Sequence, residues 1–378
     1  MRFLHTADWH IGKKLHGYDL IPEQEEAYRQ IKAIAVAEHV DAIVIAGDLY
    51  DRALPSEPTV TALTKMLVDL NRHEKFPLLA ISGNHDSGVR LGYGAEWFSS
   101  TDFFLRTKLA DVLKPVTLGD TQFFLLPYFE PIAARKFFDD DKIRTVNQAM
   151  ERLVAAMQEK FAPDKRHVLI AHFFAAGSQH TDSETQVQVG GLNAVPVDLL
   201  APFDYVALGH LHRKEALQNE PTVKYSGSPL KFSTSEAADT KGVWIVDTDT
   251  TPVTVTFKPL KPWHDLVVLE DSFDHLMDPN HIYPVTPEDF IAVNLTDTTP
   301  ITNVMQRLKT RFPRVIELNR VNQLLVTPET LDVHQVQQDP VTLLSDFFAQ
   351  VTQHDLSDQQ LTWAKQALQR AEKEEEQQ

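Results

Sequence analysis

Five apolar runs in this chain each end in a cluster of carboxylate, imidazole or carboxamide side chains. That recurrence restricts the fold more than any other feature. Residues 2–7 run into Asp8-Trp9-His10, residues 41–46 into Gly47-Asp48-Leu49-Tyr50-Asp51, and residues 76–82 into Gly83-Asn84-His85-Asp86. Residues 167–171 stop at His172, and residues 205–208 at Gly209-His210-Leu211-His212. Helix-period segments lie between the early runs: Ala27, Ile31, Ile34 and Ala35 form one stripe, with Pro22 suited to the first turn. Ser56 caps a second segment carrying Val60, Leu63, Leu67 and Leu70, and Ala149, Leu153, Val154 and Met157 mark a third. Strand–helix alternation predicts helices packed on the faces of a sheet. In an open α/β sheet the ligand crevice lies beyond the carboxyl ends of the strands, so the five clusters converge on one rim.

The clusters offer oxygen and nitrogen donors but no sulfur. The chain has no cysteine, which excludes disulfides, zinc fingers, iron–sulfur clusters and cysteine nucleophiles. Mixed O/N ligation suits Mn, Fe or Zn better than Ca or Mg. Asp8, His10, Asp48, Asn84, His172, His210 and His212 are enough donors for two ions that share a bridge. Alternate residues of an extended segment point the same way, so Asp8 and His10 reach one ion together. His210 and His212 serve one ion or are divided between two. Glycines before Asp48, Asn84 and His210 allow tight turns and close backbone approach.

Beyond residue 204 the period changes. Residues 205–208, 223–226, 242–247 and 253–257 read as successive strands of a second sheet packed on the first. The prolines of residues 258–264 close this domain, giving boundaries of 1–264, then an α+β unit over 265–338, then a helical segment over 339–378. That last segment has an amphipathic stripe of Leu344, Phe347, Phe348 and Val351. A second helix follows, opened by a Ser357/Gln360 capping box and carrying Leu361, Trp363, Ala364 and Leu368. The length of 378 residues fits two or three domains at roughly 100–200 residues each. With 36 basic and 53 acidic residues the net charge is −17, which excludes a uniformly basic protein that coats nucleic acid. A local basic rim remains possible. The N-terminus lacks a signal peptide's apolar stretch, and no run reaches the ~18 residues of a membrane span, so a cytoplasmic chain is expected.

The ordered set D-x-H, GD-x-x-D, GNH-D/E, lone His and GH-x-H resembles the calcineurin-like metallophosphoesterase superfamily. The resemblance implies an α/β fold, a four-layer α/β/β/α sandwich. It further implies that Asp8, His10 and His212 bind one metal, that Asn84, His172 and His210 bind the other, and that Asp48 bridges. His85 then stands over the scissile phosphate, with Asp51 placed to hold its imidazole in the donating tautomer. Asp86 reads as a turn carboxylate.

Finer motifs narrow the resemblance. Met1–Gly17, with its Lys13-Lys14-Leu15-His16-Gly17 continuation, is similar to the SbcD-type family of DNA-repair nucleases. So are Ala46–Asp51, Ser82–Ser87 and Tyr225–Pro229. That family implies two divalent ions, normally Mn²⁺, and an SbcC-type coiled-coil ATPase partner. It implies degradation of double-stranded DNA ends from the 3′ side and endonucleolytic cutting of single strands and hairpins. It also implies a homodimer within a heterotetramer, paired near Val60–Leu70 and Trp97-Phe98. The unit over 265–338 becomes a capping domain, and 339–378 a docking segment for the ATPase. The chain has no G-x-x-x-x-G-K-[ST] loop, so it is not expected to hydrolyse ATP itself. Lys13, Lys14, His16, Arg52 and Arg90, with Lys214 and Lys231, lie beside the metal motifs and could form a DNA-binding rim.

Overall fold

The computed structural model describes residues 1–179, 181–184, 194–321, 341, 342, 345, 348, 349 and 355–375. Its strands in chain order begin with β1 (Arg2–Thr6), the short pair β2 (Lys14–Leu15) and β3 (Tyr18–Asp19), β4 (Ala42–Ile45), β5 (Leu78–Ile81) and β6 (Phe103–Arg106). Next come β7 (Val116–Leu118), β8 (Thr121–Leu126), β9 (Arg166–His172), β10 (Tyr205–Gly209) and β11 (Val223–Tyr225). The last are β12 (Gly242–Asp247), β13 (Thr254–Pro259), β14 (Leu266–Asp271), β15 (Phe290–Leu295) and β16 (Val315–Arg320). The chain divides into two compact units. One is Met1–Leu269 with Ile282–Ala292 and Arg307–Glu317; the other is Glu270–His281, Val293–Gln306 and Leu318–Gln378.

The first unit is built on two sheets. One has the order β13-β12-β1-β4-β5-β6, with β1, β4, β5 and β6 parallel and β12 antiparallel to β1. The other has the order β11-β10-β9-β8-β7, parallel from β8 through β11, with β7 antiparallel on β8. Strand side chains alternate faces, and here both faces are buried. On β4, Ala42 and Val44 enter the core between the sheets, while Ile43 and Ile45 enter the core beneath the helices. Phe3, Phe123, Val168, Ile170 and Tyr205 join the inter-sheet core. Tyr28, Ile31 and Ala35 of helix Ile21–Ala37, and Leu63 and Met66 of helix Glu57–Val68, cover the first sheet. Ala149, Leu153, Val154 and Met157 of helix Val146–Gln158 cover the second, all buried as their spacing predicts. The result is the expected α/β/β/α sandwich.

The assignment of strands to sheets differs from the sequence expectation. The strands over 205–257 do not form one second sheet: β10 and β11 pair beside β9, whereas β12 and β13 extend the first sheet past β1. Strands β6, β7 and β8 carry no polar cluster at their ends and escape notice in the sequence. β14, β15 and β16 form a separate three-stranded sheet. In the second unit, helix Asp358–Glu375 opens on the expected box: Gln360 Oε1 accepts from Ser357 N at 2.9 Å, and Ser357 Oγ accepts from Gln360 N at 3.4 Å. Leu344, Phe347 and Val351, and the side chain of Leu368, lie outside the described residues. No helix among the described residues is long and apolar enough to cross a membrane.

Candidate metal centre

Past the ends of β1 and β4 the chain keeps pairing. Asp8 N donates to Gly47 O at 3.0 Å, and His10 N to Asp48 O at 2.9 Å. This places Asp8, His10 and Asp48 side by side. Asn84 and His85 follow β5 in the same sheet. His172 ends β9, and His210 and His212 follow β10, so the second sheet brings its donors to the same carboxyl rim. Two cross-sheet contacts lock the assembly: His210 N donates to Asp8 Oδ1 at 2.9 Å, and His172 Nδ1 donates to Ala46 O at 2.8 Å. The glycines are needed because the backbones nearly touch. A Cβ on Gly83 would lie 2.1 Å from Asp48 Oδ1, and one on Gly209 would lie 2.0 Å from Ala46 O.

Asp8, His10, Asp48, His172, His210 and His212 are all buried. Asp8, His10 and His212 present ligand atoms within 4.8 Å of one another, as do Asp8, Asp48 and His172. Asn84 Oδ1 lies 2.9 Å from His172 Nε2 and 3.0 Å from His210 Nδ1, so its carboxamide ties those two imidazoles together. Asp48 Oδ2 stands 3.3 Å from His172 Nε2 and 3.6 Å from His10 Nε2, between the two groups. Asp8, His10, Asp48 and His210 are held at positive φ (54°, 45°, 51° and 97°). Such strain, about 1–3 kcal/mol per residue, persists where surrounding structure enforces it and tends to gather at functional sites.

The electrostatics fit a cation. Asp8 Oδ2 and His10 Nδ1 are buried without a hydrogen-bond partner. His10 Nε2 and His212 Nε2 face each other at 3.1 Å, a separation that needs a proton or a cation between them. Burial pushes the Asp8 carboxyl up to about 7, against the pull of His172 and His212. Burial opposes charge on His172, but the neighbouring Asp48 carboxylate lifts its imidazole to about 9. Burial holds His210 down at about 3, with His172 adding to the effect. A buried set of mixed O and N donors, two of them without a hydrogen-bond partner, is where divalent ions bind.

His85 is half-buried, its ring edge-to-face with His10 at 4.7 Å between centroids. Asp51 meets His85 through its main chain and not through its carboxylate. The hydrogen bond from His85 Nδ1 goes to the Asp51 main-chain carbonyl at 2.9 Å. The Asp51 carboxylate takes Lys13 Nζ at 3.0 Å and lies 3.8 Å from His10 Nδ1. Asp86 behaves as a turn carboxylate, accepting from the N–H groups of Leu49, Tyr50 and Gly83 at 3.0–3.1 Å.

The basic residues divide. Lys14, Arg52 and Arg90 are exposed near the rim; His16 is exposed as well, 4.0 Å from Glu317. Lys13, by contrast, is half-buried on Asp51 and over the Phe232 ring at 5.2 Å, so it is a site residue before it is a surface charge. Lys231 is paired with Asp265 at 2.7 Å, and Lys214 with Glu215. Sequence reading missed Phe232, whose ring meets both His10 and His212 edge-on. It also missed Ser183, Glu184, Glu236 and Lys241 behind His212. No spacing signals these, because they approach from separate loops.

Fold and donor set together describe a metallophosphoesterase. The calcineurin-like phosphoesterase family model matches residues 1–214, and a model described as the type 5 capsule protein repressor C-terminal domain matches residues 262–352. A protein of Staphylococcus epidermidis, named as the SbcD component of the nuclease SbcCD, is 34% identical over 359 residues, covering 94% of this chain and 95% of the relative. Its namesake from Staphylococcus saprophyticus is 32% identical over 365 residues, covering 95% and 96%. A solved dimetal phosphatase from Danio rerio is similar at 11% identity and a TM-score of 0.38, over 65% of this chain and 92% of that one. The chain belongs to the calcineurin-like phosphoesterase family, in the group of the SbcD nucleases.

Proposed function

We propose that this chain is the nuclease component of an SbcCD-type complex, hydrolysing DNA phosphodiesters with two divalent cations, manganese foremost. The observation that carries the reading is the meeting of Asp8, His10, Asp48, Asn84, His172, His210 and His212 at one buried rim. The likeness to SbcD nucleases over 94% of the chain supports it. Asp8, His10 and His212 would hold one ion and Asn84, His172 and His210 the other, with Asp48 placed to serve both. When bound, the paired ions polarise a phosphoryl oxygen and make an attacking water more acidic.

The chain's own residues do the rest. His172 donates its Nδ1 proton to the Ala46 carbonyl, which aims Nε2 at Asn84 and Asp48, where a bound ion would displace the Nε2 proton and take the lone pair. His85 likewise gives its Nδ1 proton to the Asp51 carbonyl, which fixes the ring. Through Nε2 His85 then serves as general acid to the oxygen that leaves phosphorus. Lys14, His16, Arg52 and Arg90 contact DNA phosphates, and Lys13 acts beside them through Asp51. The substrates are double-stranded ends degraded from the 3′ side, single strands and hairpins.

The partner is an SbcC-type coiled-coil ATPase docked on residues 339–378, with residues 265–338 capping the site. Two copies pair through the apolar groove beside helix Glu57–Val68, giving a heterotetramer that works on DNA in the cytoplasm. Linear duplex labelled at either end, digested with Mn²⁺ with and without the ATPase, tests this. Metal-dependent loss of the 3′ label, increased by the ATPase, is expected. Cleavage of a simple aryl phosphodiester but not of DNA would overturn the nuclease reading.

A further inference from the structure

Behind His212 lies a polar chain whose hydrogen-bond directions follow from the Glu236–Lys241 ion pair; the Thr181 hydroxyl, 3.1 Å from Ser183 Oγ, adds a further donor to the serine oxygen. Glu236 is fully buried, and Lys241 nearly so. Lys241 Nζ donates to Glu236 Oε2 at 2.5 Å, to the His212 carbonyl at 2.8 Å and to Ser228 Oγ at 3.1 Å, which uses all three of its protons. A carboxylate against a saturated ammonium stays ionised and only accepts. Glu236 Oε1 therefore takes the Ser183 hydroxyl proton across 2.5 Å, along with the Phe232 N–H at 3.3 Å. Ser183 has no second proton. At 2.6 Å from His212 Nδ1 its oxygen can only accept, so Nδ1 carries the imidazole proton. That leaves Nε2 with its lone pair toward His10 and the metal cluster. Next along the chain, Glu184 Oε1 accepts the His212 main-chain N–H at 2.5 Å, so adjacent residues hold both backbone and ring.

We infer that Ser183, Glu236 and Lys241 form a positioning relay that sets the tautomer of His212 and thereby its affinity for a divalent cation. The inference rests on the reading of His212 as a ligand. Such a buried ion pair contributes little net stability, but it imposes a direction that packing alone would not. Ser183→Ala cuts the relay without leaving the Glu236–Lys241 pair uncompensated, and Ser183→Thr retains a hydroxyl.

The test uses the full, metal-free chain in two measurements: Mn²⁺ titration followed by the resonance of free Mn²⁺, and ¹⁵N-histidine spectra that report the tautomer. Ser183→Ala is expected to weaken one manganese site by about 10–100-fold and to give His212 mixed-tautomer nitrogen shifts. Ser183→Thr is expected to restore both. Unchanged affinity in Ser183→Ala would overturn the relay. So would weaker binding with the Nδ1–H tautomer intact, because the serine would then act only by packing. A wild-type chain that binds no Mn²⁺ would instead overturn the metal reading, while the metal-free spectra still decide the tautomer.

Discussion

Both oxygens of the Asp48 carboxylate are engaged: Oδ1 accepts from His85 N at 2.9 Å, and Oδ2 faces the His172 and His10 rings. Asp48→Asn keeps the shape but removes the charge and sets an amide N–H₂ against imidazoles. We expect it to lower bound manganese at both sites, as elemental analysis of the purified chain would report; unchanged content would refute the bridge. His85 meets the cluster through its main-chain N–H on Asp48 and its ring edge on His10, so His85→Gln, which keeps the main chain, should leave metal content near normal while slowing turnover ~10²–10⁴-fold. The Asp51 geometry separates two ideas that sequence spacing could not. Because the His85 contact is made by the main chain, Asp51→Asn should preserve it while weakening the carboxylate's pairs with Lys13 and Arg52 and its pull on His10. Its rate loss at saturating DNA should stay under about tenfold, well short of the His85→Gln effect. A loss as large as that of His85→Gln would mean the carboxylate itself orients the ring.

At the scale of elements, helix Glu57–Val68 shows how one stripe carries two tasks. Ser56 caps it as its sequence suggests, accepting from Thr59 N at 3.4 Å. Leu63, 1% exposed, packs on the first sheet, whereas Val60, 40% exposed, looks out. Val60 lines an apolar groove of about 580 Å³ with Leu67, Tyr93, Trp97 and Phe98, and Trp97 is 70% exposed. Heptad-like spacing therefore reported an amphipathic helix correctly but could not say which members were core. Leu63→Ala opens a cavity and should cost about 2–5 kcal/mol in urea unfolding. Trp97→Ala should leave stability nearly unchanged. If the groove joins two copies, the same substitution should shift sedimentation from dimer to monomer; an unshifted mass would remove the groove from the dimer face.

For the whole molecule, the candidate site exists only where two sheets meet, with Asp8, His10, Asp48 and Asn84 from one and His172, His210 and His212 from the other. A cation held by both sheets binds the folded chain alone and must stabilise it. At one hundred times its Kd a single ion adds about 2.7 kcal/mol, so Mn²⁺ should raise the melting temperature and EDTA should reverse it. A melting curve indifferent to manganese would speak against ligands shared across the sheets. With a net charge of −17, the proposed DNA contact falls to local groups such as the exposed Lys14, Arg52 and Arg90. Deleting residues 341–378 should abolish co-purification with the ATPase while basal single-strand cleavage persists. A truncated chain that still binds the ATPase would refute the docking role.

What sequence determined by itself was local: the apolar runs that become β1, β4, β5, β9 and β10, the donors placed directly after them, and the helix stripes and caps between. Strand alternation, helical period and cap chemistry act within a few residues, so they leave their mark on the chain. Tertiary structure alone decided that β12 returns to lie against β1 rather than beside β11, and that β8 supplies the second sheet with a strand next to β9. It also decided that Asp51 serves His85 through its carbonyl, that Lys13 turns inward, and that Ser183 and Glu236 stand behind His212. Those pairings join residues far apart in the chain. Burial favours such pairings, since a polar group removed from water is stabilised by whatever partner the fold brings to it, and no spacing along the sequence records where that is.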